Sequence, residues 1–300
     1  MMKVYLSEYI APSARQRLAA HCDIVDNFNH PEDLDAIIVR RVQVTKEIID
    51  KAVKLKCISM HGVGLDTIDV AAARAKGIPV VNVPGASAES VAELAVALML
   101  AVSRKVKYID EGLQHGAFRH FGQRDTIGHE LFGKKVGLIG SGHIACQVAA
   151  ILKNAFHCKL YCYNPLEDEV SLHAKGLEKV STLQELFAAC PFISIHVPLT
   201  KETKNMVNAD VLRAARPDTV LVNTARGGIV DEKALCQALQ EQRLGGAGFD
   251  VFSDEVPSAD NPLLHLENFI GTLHVGGSTE EALERVSQAA VDHVLTALGA

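Results

Sequence analysis

Three hundred residues, 48% of them hydrophobic, can bury a sizeable core and suffice for one large or two ordinary domains; two is the expectation. Thirty basic against 36 acidic residues leave a net charge of −6 without a basic block, which argues against nucleic acid and anionic membrane as partners. The start, Met1 to Leu6 followed soon by Glu8, lacks the apolar stretch of a signal peptide and reads as a first strand. The longest apolar run, Leu94 to Val102, is far short of the roughly 20 residues that cross a bilayer. Seven scattered cysteines read as buried thiols of a soluble cytoplasmic protein, and thirteen histidines show no metal-ligand spacing, so no metal is expected.

Short apolar strands at Val4 to Leu6, Ala36 to Val39, Cys57 to Met60 and Val80-Val81 alternate with helical patterns near residues 12 to 20, 46 to 54 and 68 to 76. That rhythm means βαβ units and a mainly parallel sheet. A long helix follows, from about Ala88 to Gly112, with Leu94, Leu98 and Val102 at fourfold spacing on a buried face. A polar stretch, His115 to Lys134, leads into a second α/β series with six strands, near 135 to 139, 158 to 163, 192 to 196, 219 to 223, 246 to 250 and 268 to 272. The final helix, roughly Thr279 to Leu298, is expected to return to the first domain. The fold class is therefore α/β with two parallel-sheet domains of Rossmann-like or flavodoxin-like type. The expected boundaries are 1–99 with 275–300 for a discontinuous first domain, and 100–274 for the second.

Lys135 to Ile139 is followed directly by Gly140-Ser141-Gly142-His143-Ile144-Ala145. A strand that ends in G-x-G-x-x-G/A and opens into a helix makes a pyrophosphate cradle: one glycine for the turn, one for close approach, a small third residue for packing. Glycines after a strand are often only a turn, so context decides. An acidic residue that accepts from the adenosine ribose is expected about 20 positions on, at the end of the next strand. Asn164 stands there instead. Glu167, Asp168 and Glu169 follow and no arginine is near to take a phosphate, which favours NAD and leaves NADP possible.

Three polar segments follow later strands: Asn223 to Gly228, Phe249 to Glu255 and Gly271 to Gly277. Ligands bind outside the carboxyl ends of an open parallel sheet, so all three converge on one crevice. Arg226, Glu255 and His274 there suit reduction of a 2-oxo acid. The arginine fork clamps a carboxylate and polarises the carbonyl, the histidine gives its proton to the carbonyl oxygen, and the glutamate favours the imidazolium and sets its tautomer. Each residue alone has a plainer reading as turn, surface loop or cap; their joint placement is what points to chemistry.

These segments together resemble the D-isomer-specific 2-hydroxyacid dehydrogenases, particularly the phosphoglycerate dehydrogenase-like branch, over nearly the whole chain. Ile38-Val39-Arg40, Gly62 to Asp69, Asn82 to Gly85 and Ser90 to Glu93 look like that family's substrate-domain motifs. His196 to Thr200, Val222 to Gly228, Gly248 to Phe252 and His274 to Thr279 look like its cofactor-domain signatures. The resemblance puts Arg226, Glu255 and His274 on the catalytic trio. It puts Gly140, Gly142, His143, Ile144, Asn164, His196, Val197, Pro198, Thr224, Ala225, Gly276 and Gly277 at the cofactor, with Asp250 orienting the nicotinamide and His196 beside the cofactor rather than moving protons. It implies substrate contacts from main-chain amides near Val63 and Gly64, with Arg40 close to the substrate's far end; Arg41 and His61, which replace smaller residues of the family nearby, are read as further substrate-binding candidates. It further implies a cleft that closes over both ligands, and a homodimer built on the long helix and His115 to Lys134.

The chain departs from the family pattern at several points. Asn164 replaces an aspartate, Val256 separates Glu255 from Pro257, Leu273 stands where proline commonly precedes the histidine, and Met60 occupies a position where phosphoglycerate dehydrogenases often carry an arginine. The chain ends soon after its last helix, so no C-terminal regulatory domain is expected. The resulting expectation is interconversion of a small D-2-hydroxy acid and its 2-oxo acid with NAD(H). Two competing readings are a non-catalytic NAD(H)-sensing corepressor-like protein, disfavoured by the intact trio, and a formate- or phosphite-type dehydrogenase, disfavoured by Glu255.

Overall fold

The computed structural model describes residues 1–118, 120 and 122–300. It divides into two compact units, residues 1–87 with 277–300 and residues 88–276. In the first unit, β1 (Met2–Tyr5), α1 (Pro12–Ala19), β2 (Cys22–Val25), β3 (Ala36–Val39), α2 (Lys46–Lys51), β4 (Cys57–Met60), α3 (Val70–Ala75) and β5 (Val80–Val81) follow in order. The sheet is wholly parallel in the order β2-β1-β3-β4-β5, a flavodoxin-like arrangement. Cys22 to Val25, a strand absent from the expected pattern, pairs with β1 over its whole length. Four residues with Asp23 in their midst are too short and too polar to announce themselves.

The second unit opens with α4 (Ala88–Ser103) and α5 (Val106–Gln114), then β6 (Lys135–Ile139), α6 (His143–Phe156), β7 (Lys159–Tyr163), α7 (Glu169–Ala174), β8 (Glu178–Lys179) and α8 (Leu183–Ala189). It continues with β9 (Phe192–Ile195), α9 (Ala209–Arg213), β10 (Val220–Asn223), α10 (Glu232–Gln240), β11 (Gly246–Phe249) and β12 (Phe269–Gly271). Its parallel sheet has seven strands, β12-β11-β10-β9-β6-β7-β8, one more than the six expected. The addition is the two-residue edge strand β8, exposed at both positions. Strands β9, β10 and β11 are buried at every position, as a sheet covered on both faces requires.

The long helix expected from Ala88 to Gly112 is broken. Lys105 adopts a left-handed φ of 54°, and α4 ends where His129 N–H donates to the Ser103 carbonyl at 2.9 Å. A carbonyl capped from a distant loop cannot be read from periodicity. Leu98 and Val102 do lie on the buried face, in one core with Val136, Leu138, Val148 and Leu152. Helix α4 belongs whole to the second unit, so the division falls before it rather than at the expected 99/100. Within the 115–134 stretch, residues 119 and 121 lie outside the described residues.

The chain then returns to the first unit with α11 (Glu280–Leu298), capped by the Thr279 side chain. Its Val286, Ala290, Val291, Val294 and Leu298 share a core with Val4, Leu6, Leu18 and Ile38. Each valine, leucine or isoleucine among them contributes roughly 1.5–3 kcal/mol on burial, and this is why the helix docks there. All seven cysteines are free thiols. Burial pushes Cys162 and Cys190 up to about 12, so both stay protonated and inert at neutral pH.

Candidate active site

The carboxyl edge of the second unit's sheet is laced together by main chain. Asp250 N–H donates to the Asn223 carbonyl at 2.9 Å, Thr272 N–H to the Phe249 carbonyl at 2.8 Å, and His274 N–H to the Asp250 carbonyl at 2.7 Å. Three polar segments that are far apart in sequence thus leave adjacent strands β10, β11 and β12 side by side. Asn223, 1% exposed, fixes the first: its side chain accepts from Ala225 N–H at 3.0 Å and donates to the Arg226 carbonyl at 2.9 Å. Arg226 is half-buried, and its Nη1 donates to the Ala225 carbonyl. Next to it Gly227 lies against the β11 loop so closely that a Cβ would fall 1.8 Å from the Phe252 carbonyl oxygen. Only glycine permits that approach, which holds the Arg226 turn beside the segment leading to Glu255. Glu255 itself is exposed.

The Asp250 carboxylate, 1% exposed, has a task that its sequence motif does not announce. Oδ1 accepts from Thr272 Oγ1 at 2.6 Å and Val275 N–H at 2.8 Å, and Oδ2 accepts from Gly276 N–H at 2.8 Å. A buried carboxylate holding three donors latches the 272–276 loop. Within that latch the half-buried His274 takes a left-handed φ of 49°. That conformation is uncommon for a residue with a Cβ, and it persists where surrounding bonds over-determine it, as here.

Toward the middle of the edge, His196 N–H donates to the Ile139 carbonyl at 2.8 Å, and a Cβ on Gly140, whose φ is +94°, would fall 2.7 Å from the His196 carbonyl oxygen. The strand end at Gly140 and the one at His196 are in contact, which is the point where strand order reverses between β6 and β9. Both His196 ring nitrogens are buried without a partner, and burial lowers the ring to about 3, so it is neutral. Thr224 Oγ1 is likewise buried and unpartnered. Val197 and Ala225 are half-buried, and Pro198 is exposed.

Gly142 is the N-cap of helix α6 and offers no side-chain cap, and the first helical bond runs from Cys146 N–H to the Gly142 carbonyl. The amides of the first turn, at exposed His143 and half-buried Ile144, therefore have no intrahelical acceptor. Space beside Gly142 is open: a Cβ there meets nothing within 4 Å. A dinucleotide fits this arrangement. The uncapped amides of His143 and Ile144 would hold its pyrophosphate, and the orphaned polar atoms of Thr224 and His196 lie on the same sheet edge. Asn164 is half-buried at the end of β7, bonded to Ser141 at 2.7 Å.

In the first unit the loop 61–64 is pinned by its neighbour: Asn82 Nδ2 donates to the Val63 carbonyl at 2.7 Å and Val83 N–H to the Gly62 carbonyl at 2.8 Å. Val63 is exposed and Gly64 half-exposed, so their main chain is accessible. Glu8 accepts from the backbone N–H groups of Arg40 and Arg41, and Arg40 Nη2 reaches Ser278 Oγ at 3.1 Å. His61, expected near substrate, is 5% exposed and turned inward: Nε2 meets Ser287 Oγ at 2.9 Å, and Ser287 also accepts from Ala11 N–H. Burial, then the Arg40 charge, lowers this ring to about 4. His61 thus joins the loop to α11 as a neutral side chain. Gly276 is buried and Gly277 half-buried, where the chain passes into the first unit.

Residues 96–276 match the D-isomer specific 2-hydroxyacid dehydrogenase NAD-binding domain. The D-3-phosphoglycerate dehydrogenase of Methanocaldococcus jannaschii is 44% identical over 252 residues, covering 84% of this chain and 47% of that protein. The hydroxypyruvate reductase of Thermotoga maritima is 40% identical over 270 residues, 89% of this chain and 86% of that one. The chain belongs to the D-isomer specific 2-hydroxyacid dehydrogenase family. A crystal structure of D-lactate dehydrogenase from Aquifex aeolicus, complexed with NAD and lactic acid, superimposes with a TM-score of 0.86 at 30% identity, covering 99% of this chain and 96% of that one. The chain spans about half the length of the Methanocaldococcus relative. A family member of this kind takes NAD(P) on its second unit, where the uncapped helix α6 lies. Among the described residues, no helix is long and apolar enough to cross a membrane, and no three His, Cys, Asp or Glu side chains are grouped to hold a metal ion.

Sequence reasoning passed over Ser141, Asn223 and the latching task of Asp250. The signal available for Asn223 is an amide at a strand end two residues before a small residue, a turn-capping pattern.

Proposed function

We propose that the protein is an NAD(H)-dependent dehydrogenase that interconverts a small D-2-hydroxy acid and its 2-oxo acid. The observation that carries this reading is the main-chain lacing of Asn223, Asp250 and His274, which gathers an arginine, a glutamate and a histidine segment at adjacent strand ends. Nicotinamide, when bound, supplies or accepts the hydride. Arg226 binds the substrate carboxylate and withdraws density from the carbonyl through its planar guanidinium. His274 delivers a ring proton to the carbonyl oxygen in reduction and recovers it in oxidation, with Glu255 favouring its charged form. Uncharged His196 lies beside the cofactor and moves no proton. The main chain at Val63 and Gly64 holds the substrate carboxylate, and Arg40 and Arg41 serve the far end.

The names of the relatives point to hydroxypyruvate, 3-phosphohydroxypyruvate and pyruvate as the first 2-oxo acids to try. Oxidation of NADH and NADPH by purified protein is measured against these with glyoxylate and 2-oxoglutarate beside them. Turnover of one or more 2-oxo acids is the expected outcome; tight NADH binding with no turnover on any would return the reading to a cofactor-sensing protein. A homodimer is also proposed. It is supported by α5, which buries no residue and leaves Val106 51% and Leu113 66% exposed, with Ile127 and Phe132 exposed nearby in sequence. A monomeric mass in light scattering would overturn that. The free buried thiols suit a reducing cytoplasm.

A further inference from the structure

The end of β7 carries no carboxylate at residue 164, yet a carboxylate is there in space. Glu167, three residues on, turns back to the glycine loop: its Oε1 accepts from Ser141 Oγ at 2.6 Å and from Asn164 Nδ2 at 3.4 Å. Asn164 Nδ2 also donates to Ser141 Oγ, and Asn164 Oδ1 accepts from Leu166 N–H at 3.0 Å, which bends the chain between the two residues. Lys175 closes the group. Its ammonium donates to Glu167 Oε1 at 2.9 Å, to Glu167 Oε2 at 2.7 Å and to the Ser141 carbonyl at 3.1 Å. An ammonium has three hydrogens, and all three are accounted for.

From this geometry we infer that Glu167 is the specificity-determining residue for the cofactor, selecting NAD(H) over NADP(H) by repelling a 2′-phosphate and by keeping Lys175 from receiving one. The inference rests on the reading that residues 140–145 cradle a dinucleotide. Asn164 follows the strand end at which a dinucleotide's adenosine ribose is received, and Glu167, bonded both to it and to the buried Ser141 of the glycine turn, stands at that end. Lys175 is the cation that the sequence pattern did not disclose, because seven residues, the whole of α7 among them, separate it from Glu167. Bonds from Lys175, then Ser141, hold the Glu167 carboxyl below the usual carboxylate range, so the charge is present at neutral pH. Asn164 acts here as the strut that positions Glu167 rather than as the discriminating group.

Binding of NADH and NADPH without substrate tests this, by calorimetric titration of the wild type, Glu167→Gln and the double variant Glu167→Gln with Lys175→Met. The wild type is expected to prefer NADH. Glu167→Gln keeps the shape, removes the charge and releases Lys175, so the NADPH-to-NADH affinity ratio rises at least about tenfold, as one charge-assisted phosphate contact provides. The double variant loses that gain, which a purely structural effect of Glu167→Gln would not do. A ratio within about threefold of wild type in Glu167→Gln, or a gain that survives loss of Lys175, overturns the inference while leaving the cofactor site standing. Wild type that prefers NADPH also overturns it. Failure of either dinucleotide to bind wild type overturns the cradle reading and the inference together.

Discussion

The two ends of one sheet edge are built by different means. At β10 to β12 the Arg226 and His274 segments are fixed by main-chain bonds and by Asn223 and Asp250, each 1% exposed. At the end of β7 the fixing groups are side chains of intermediate exposure, Glu167 at 28% and Lys175 at 35%. Buried bonds to backbone allow one geometry and carry a large penalty when one partner is lost. Half-exposed ion pairs are screened and contribute little to stability, so they can change with small consequence for the fold. The lesson is that the end proposed for chemistry is rigid and the end proposed for cofactor choice is adjustable.

The largest expected effect separates the two ends by function. His274→Asn lowers kcat by about 10²–10⁴-fold, the usual contribution of a positioned acid–base group, while the calorimetric Kd for NADH stays within about threefold. Retained turnover would mean that the proton comes from elsewhere. Asp250→Asn tests the latch: an amide turns an NH₂ toward buried donors, and unfolding free energy drops by about 1–3 kcal/mol. Urea titration with kcat measured alongside checks it; full stability with full activity would show that the loop does not need the carboxylate.

A third test uses pH. His196 and His61 are neutral in the folded chain, lowered from 6.5 to about 3 and about 4. Above 6.5 both states of the protein hold them neutral; as pH falls below 6.5 only the unfolded chain takes up the protons. Stability therefore falls toward acid, approaching about 1.4 kcal/mol per pH unit for each buried histidine, until the folded values are reached. Glu167 is lowered from 4.5, so its contribution is present above that value and is lost only at more acid pH. Between pH 6.5 and 5.5 the slope belongs mainly to the histidines, because carboxylates lowered from 4.5 take up protons only at more acid pH, and His61→Asn should roughly halve it in urea titrations. A slope that does not change would contradict burial as its cause. The smallest effect is expected at the adjustable end: Asn164→Ala removes a strut and weakens NADH binding only a few-fold, with a thermal midpoint within about 2 °C of wild type. A large fall in midpoint would erase the contrast between the two ends.

Most strands were legible because buried parallel strands are short continuous apolar runs bounded by turn residues, as at Ile37 to Val39 and Val220 to Val222. Strands β2 and β8 were not, since four residues interrupted by Asp23 and the two charged residues Glu178 and Lys179 carry no readable period. The break at Lys105 depends on a cap from His129, a contact over distance rather than a local preference. Among the proposed site residues, Arg226 and His274 were legible as polar segments after strands. His61 was read as facing substrate and instead faces Ser287.

By itself the sequence determined which segments form strands and helices, where the uncapped glycine turn lies and which ionisable residues follow strand ends, because these are matters of local pattern. The tertiary structure alone decided which oxygen meets which donor. Asp250 becomes a latch, His196 stays neutral, and Glu167 stands in for a carboxylate missing at 164, because burial and hydrogen-bond partners are set by segments far apart in the chain.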